Sequence, residues 1–144
     1  MNAPRPRPAV TGLAAPFWQS LADGQLRLAR CATCHAYRHP PRPVCDRCGG
    51  DHFEWVPSLG TGEVSSFTVV HRPTLPAFAD EVPYGAVVVR LDEDVFMVSQ
   101  LVDCPIDALA VGMRVEVAPT ECDGVVLPLF RRVDNAARPT TIGP

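Results

Sequence analysis

Four of the chain's six cysteines fall into two Cys-x-x-Cys pairs, Cys31 with Cys34 and Cys45 with Cys48. Paired thiols can run redox chemistry, form disulfides or bind a metal. A thioredoxin-like redox site needs one pair at the start of a helix that follows a strand. Here two pairs lie in "CATCHAYRHPPRPVCDRCGG", a loop-rich hairpin. Disulfides belong to oxidising compartments. The N-terminus "MNAPRPRPAVTGLAAPFW" has no uninterrupted apolar stretch after its arginines, so it does not read as a secretory signal, and a cytoplasmic chain is expected. Two knuckles of two thiolates are instead the donor set of a tetrahedral metal ion. Gly49-Gly50 after the second knuckle gives the backbone freedom to turn away.

The expected ion is one structural zinc per chain. Rubredoxin-type iron takes the same ligands, so ligand identity leaves both open. Four thiolates close the coordination shell, whereas a catalytic zinc keeps a position open. The metal is therefore expected to hold the fold. His35 and His39, beside the knuckles, are read as surface residues. Cys104 and Cys122 have acidic neighbours (Asp103, Glu121, Asp123), which disfavour a reactive thiolate. His52 and His71 have no partner nearby in the sequence. No nucleophile elbow, zinc-protease helix, P-loop or dinucleotide fingerprint occurs. No catalytic residue is assigned.

The elements that must position these cysteines follow from pattern. Residues 1–13, with Pro4, Pro6 and Pro8 alternating with Arg5 and Arg7, read as a flexible arm. "APFWQSLADGQL" reads as a short helix, with Pro16 in its first turn, Gly24 as its stop, and Phe17, Trp18 and Leu21 on one face. "LRLAR" leads as a strand into Cys31, and the helix plus ribbon occupies 14–56. Beyond Gly60 and Gly62 the pattern is β: 63–72, "YGAVVVRL", "VFMVSQLV", "MRVEVAP" and "VVLPLFRRV", the last pair around Asp123-Gly124. Five short strands over 57–134 suggest a small barrel of the OB type, with 135–144 a flexible tail. The fold class is mainly β: a short helix and a rubredoxin-like zinc ribbon, then a five-stranded OB-fold barrel.

Charge narrows the partners. Residues 1–56 hold seven Arg and four acids; residues 57–144 hold six Arg and twelve acids. A barrel half at −6 is no platform for single-stranded nucleic acid, although OB-folds and ribbons can serve that purpose. No apolar run is long enough to span a membrane.

In order, Phe17-Trp18, the two knuckles, Pro40-Pro41-Arg42, Trp55, Gly60-x-Gly62, Ser66-Phe67-Thr68, Pro83-Tyr84, Gly112-Met113 and Phe130 make a specific set. The chain resembles, over roughly residues 14 to 133, the acyl-CoA-associated zinc-ribbon and OB-fold family once filed as domain of unknown function 35. The resemblance implies a non-catalytic partner of thiolase-superfamily enzymes: sterol-carrier-type thiolases, steroid side-chain aldolases or acyltransferases. Some relatives are fused to or paired with hot-dog-fold enoyl-CoA hydratases; a chain of 144 residues leaves no room for that fusion. It further implies that the OB domain associates with the CoA ester, while helix and ribbon contact the enzyme. A thiolase dimer would suggest two copies of each chain.

Within that frame, Phe17, Trp18 and Trp55 are the aromatics suited to anchor a partner, or else to fill the seam between ribbon and barrel. The proline-bearing loop 73–83 reads either as a border of the acyl or pantetheine chain or as a plain surface loop with a few packed apolar residues. Arg72, Phe78, Pro83 and Tyr84 are the candidates near the CoA ester, with Arg90 a second cation by position; the alternative for either arginine is solvated surface. Two rival readings are an independent module for single-stranded nucleic acid and a small thioesterase; no motif supports the latter.

Overall fold

Residues 3–134 are described by the computed structural model; the expected tail at 135–144 and the first two residues lie outside the described residues. A 3-10 turn at Gly12–Ala14 leads into α1 (Ala15–Ala22). The helix stops where the sequence says it should. Gly24 takes φ +79°, its N–H donates to Leu21 O (2.9 Å), and the Gln25 N–H donates to Ser20 O (2.8 Å). This is a Schellman ending, which a residue with a Cβ adopts only at a cost. Phe17 and Leu21 point inward and are almost wholly buried.

The ribbon is a three-stranded antiparallel sheet with order β2-β1-β3. β1 is Arg27–Cys31, β2 is Tyr37–Arg38 and β3 is Phe53–Pro57. Ala29 stands opposite both Arg38 and Trp55, and Cys31 stands opposite Phe53. After β3 the chain stays tied to the ribbon's entrance, because the Ser58 N–H donates to Leu26 O (2.9 Å).

The second sheet has six strands in the order β6-β5-β4-β8-β9-β7. They are β4 (Thr61–Val70), β5 (Tyr84–Leu91), β6 (Phe96–Ser99), β7 (Leu101–Val102), β8 (Arg114–Cys122) and β9 (Val125–Arg132). The third strand expected from sequence divides at Gln100. Its first part pairs antiparallel with β5, its second parallel with β9. The reason lies in β9: Ser99 Oγ donates to Pro128 O (2.7 Å) and the Phe130 N–H donates to Gln100 O (3.0 Å). Pro119 and Pro128 face each other across β8 and β9, and neither has an N–H to extend that ladder. The two end strands of the sheet are thus consecutive in the chain, joined through Gln100. Asp123 and Gly124 both take positive φ (51° and 80°), the two-residue geometry that matches strand twist.

Close approach explains one glycine. A Cβ on Gly62 would lie 2.3 Å from the Arg90 carbonyl oxygen and 2.9 Å from Leu91 Cα. β4 and β5 can meet there only without a side chain, and a bulge follows between Val64 and Ser66.

One core serves both sheets. Phe17, Leu21, Leu26 and Leu28 form a single buried cluster with Val64, Val87, Val89, Val115 and Phe130. Helix α1 packs on β1 of the ribbon and on β9 of the larger sheet. It bolts the two together.

At one end of the larger sheet Asp92 accepts from both Nη atoms of Arg114 (2.9 and 3.0 Å) and from Thr61 Oγ1. The Arg114 hydrogen bonds, then Thr61, hold its carboxyl down at about 2. A depressed carboxyl stabilises the fold above its unfolded value near 4 and stops doing so as pH falls toward 2. Asp92 is one-third exposed, so solvent screening reduces the contribution to about 1 kcal/mol. Asp92→Asn is expected to lose about that much at pH 7 in urea unfolding. The difference from wild type should shrink to nothing between pH ~4 and pH ~2, any acid loss of metal being common to both.

Candidate metal centre and partner face

The two knuckles are built alike. The Cys31 N–H donates to Ala36 O (2.9 Å) and the His35 N–H to Cys31 O (3.0 Å). In the second, the Cys45 N–H donates to Gly50 O (2.8 Å) and the Gly49 N–H to Cys45 O (2.9 Å). His35 at φ 60° occupies the place that Gly49 fills at φ 74°. Each knuckle thus turns through a left-handed residue just after its second cysteine.

The four sulfurs lie within 4.8 Å of one another, with Cys31 Sγ to Cys48 Sγ at 3.6 Å and Cys34 Sγ to Cys45 Sγ at 3.7 Å. Sulfurs about 2.3 Å from a tetrahedral ion stand about 3.8 Å apart, so the spacing fits a metal. The electrostatics agree. Backbone N–H groups of Cys34 and Thr33 lower the Cys31 thiol to about 6, and those of Arg47 and Cys48 lower Cys45. Cys48 accepts from the Gly50 N–H, yet the sulfurs of Cys34, Cys31 and Cys45 drive it up to about 11. Four crowded thiols cannot all ionise without a cation among them. A Cβ on Gly50 would sit 3.3 Å from Cys48 Sγ and 3.5 Å from Cys31 Sγ, so the cradle is tight on that side too. A divalent ion held by these four cysteines would crosslink the knuckles.

The other sequence candidates separate. Phe17 is 3% exposed, at the seam of helix and ribbon, with its ring 5.1 Å from those of Trp18 and His39. His39, read as surface, is a correction: it packs on Phe17, and burial pushes its pKa down. His35 is exposed. Trp18 and Trp55 are partly buried against the core. Trp18 also lines a groove of about 450 Å³ between Pro8 and Val10 of the arm, Ala22 of α1 and Val125-Val126 of β9. Val10, in its lining, is 47% exposed.

Phe78, on a 3-10 turn (Pro76–Phe78), stacks near Tyr84 with ring centres 6.2 Å apart. Arg5 stands over Phe78 (5.7 Å) and pairs with Glu81 and Asp123. Arg72 and Pro83 are exposed, and Arg90 pairs with Asp94 (2.7 Å). Nothing in the sequence pairs Arg5 with Glu81, 76 residues away. Alternation of Arg and Pro gave the arm's character but not its target.

With this geometry in place, sequence comparison is decisive. Residues 18–54 match the family described as "ChsH2, rubredoxin-like zinc ribbon domain", and residues 55–119 match "ChsH2, C-terminal OB-fold domain". The chain belongs to the ChsH2-type DUF35 family. A DUF35 domain-containing scaffold protein of Pyrococcus furiosus is 31% identical over 93 residues, 61% of this chain and 68% of that protein. A probable enoyl-CoA hydratase alpha subunit of Thermomonospora curvata is 39% identical over 131 residues. That alignment takes in 90% of this chain, which spans only 40% of the relative's length. Among solved structures, a chain of the Ltp2-ChsH2(DUF35) aldolase superposes with TM-score 0.78 at 37% identity, covering 88% of this chain and 98% of that one. The DUF35 chain is therefore a zinc-ribbon and OB-fold protein. Its four clustered cysteines all lie within the residues matched to the zinc ribbon. Among the described residues no helix is long and apolar enough to cross a membrane.

Proposed function

We propose that this chain is a non-catalytic accessory subunit that binds a thiolase-superfamily acyl-CoA enzyme and helps hold or channel the CoA ester. The observation that carries the reading is the end-to-end likeness to the ChsH2 chain of an aldolase named for two components. The scaffold names of the archaeal relatives point the same way. Cys31, Cys34, Cys45 and Cys48 would hold one structural zinc. Trp18 and Val10, which share one groove, offer apolar surface that a partner enzyme would cover. Phe78 and Tyr84 would border the CoA ester, with Arg72 and Pro83 at its edge. The assembly would be cytoplasmic, with two copies of each chain.

A second reading has one specific observation behind it. The Thermomonospora relative is named a hydratase alpha subunit, so a hot-dog-fold enoyl-CoA hydratase is the alternative partner.

The test is co-purification of the tagged chain from its own cells. A thiolase-like enzyme is expected at near-stoichiometric yield, with Trp18→Ala weakening its retention tenfold or more while the fold survives. Recovery of the chain alone, folded and metal-loaded, would overturn the subunit assignment. Recovery of a hydratase would favour the second reading.

A further inference from the structure

Among the described residues, Arg38 is the one charged side chain that is buried, with 7% of its surface exposed. Its Nη1 donates to the Arg42 carbonyl oxygen (3.0 Å). Nε and Nη2 are buried with no hydrogen-bond partner, and no carboxylate pairs with the guanidinium among the described residues. A cation taken out of water is costly unless an opposite charge stands near. The ribbon must supply that charge in some other form than Asp or Glu.

Strand register shows where to look. Side chains alternate across a strand, so Ala29 and Cys31 of β1 share one face. Arg38 and Trp55 stand opposite Ala29, and Phe53 stands opposite Cys31, all on that same face. The ring contact of Phe53 with Trp55 (5.8 Å) agrees. The Arg38 guanidinium lies over the Phe53 ring at 5.3 Å, so it leans along the strand toward the Cys31 row. Phe53, beneath the guanidinium, is the residue paired in register with Cys31, the first cysteine of the cluster. Four thiolates around a divalent ion leave two negative charges there.

We infer that Arg38 is the counter-charge of the metal centre, a buried guanidinium held over Phe53 to balance the metal tetrathiolate. The inference rests on the metal reading of the four cysteines and assigns a residue outside the ligand set. It makes Arg38 a positioning and charge-balancing residue that touches no substrate.

The sign of one substitution separates this role from packing. A buried arginine with no counter-charge gains stability when replaced by methionine of similar length. An arginine that balances the centre costs metal affinity when its charge is removed. The experiment uses the full chain, loaded with zinc, and reads the zinc dissociation constant by competition with a chromophoric chelator. Arg38→Met is expected to weaken zinc binding about tenfold or more. Arg38→Gln, which can still donate to the Arg42 carbonyl, should weaken it alike, so the test stands even where the methionine variant does not accumulate. Phe53→Leu keeps the charge and should stay within about threefold of wild type.

Zinc binding by Arg38→Met or Arg38→Gln as tight as wild type, or tighter, overturns the inference. So does a loss in Phe53→Leu as large as in Arg38→Met, since ring packing would then account for both. Wild-type protein that takes up no zinc overturns the metal reading itself, and this inference with it.

Discussion

Replacing Cys45 by serine is expected to empty the ribbon of metal and to unfold it. Structural zinc in small ribbons and fingers contributes apparent binding energies of about 10–16 kcal/mol, more than such a module's own packing supplies. The ribbon has three short strands, one of only two residues, so little but the metal holds its knuckles together. The damage should not stop there. Leu26 and Leu28 lie in one cluster with Val64, Val89 and Phe130 of the larger sheet. Loss of the ribbon therefore strips one wall from the shared core. Metal analysis should find the zinc gone, and thermal unfolding by circular dichroism should shift down by roughly 10 °C or more. Chelation of the wild-type protein should reproduce the effect. Cys122→Ser, at the half-buried end of β8, is the control and should leave both zinc and melting temperature nearly unchanged.

Phe17→Ala is expected to be the most damaging single substitution outside the cysteines. Its ring is 3% exposed and meets Trp18 edge-on, the His39 ring and the core. Truncating a buried phenylalanine costs about 3–5 kcal/mol, through lost transfer energy and the cavity left behind. Here the cavity would open at the joint where α1 meets both β1 and β9. Urea unfolding should show the full loss, and two-state behaviour should weaken as ribbon and sheet begin to melt apart. Trp18→Ala, one residue on and partly exposed, should cost much less stability and act on partner retention. Comparing the two separates a residue that builds the face from one that presents it.

Much of this was legible because it is local. Cys-x-x-Cys spacing commits four sulfurs to two turns before any tertiary contact forms. Gly24 and Asp123-Gly124 announce their turns through backbone sterics alone. The run "YGAVVVRL" reads as a strand from composition alone, and Val87, Val89 and Leu91 are the residues it buries. What escaped depends on residues far apart in the chain. The break at Gln100 arises from β9, whose Pro128 leaves a carbonyl for Ser99. His39 is half-buried because Phe17, 22 positions earlier, reaches it. Arg38 reads as an ordinary basic residue until the register sets it over Phe53. Arg5 meets Glu81 and Asp123 only when the arm folds back over the larger sheet.

The border between the two family matches, after residue 54, falls inside β3. That strand pairs with β1 along its whole length, from Cys31 with Phe53 to Arg27 with Pro57. Ribbon and OB-fold are therefore not beads on a string. A cut or graft at residue 54 would split a paired strand and sever the wall of a common core. In recombination, as in the design of chimeras, the two modules must be inherited together with α1 as a single cassette. The natural splice point lies upstream of the helix.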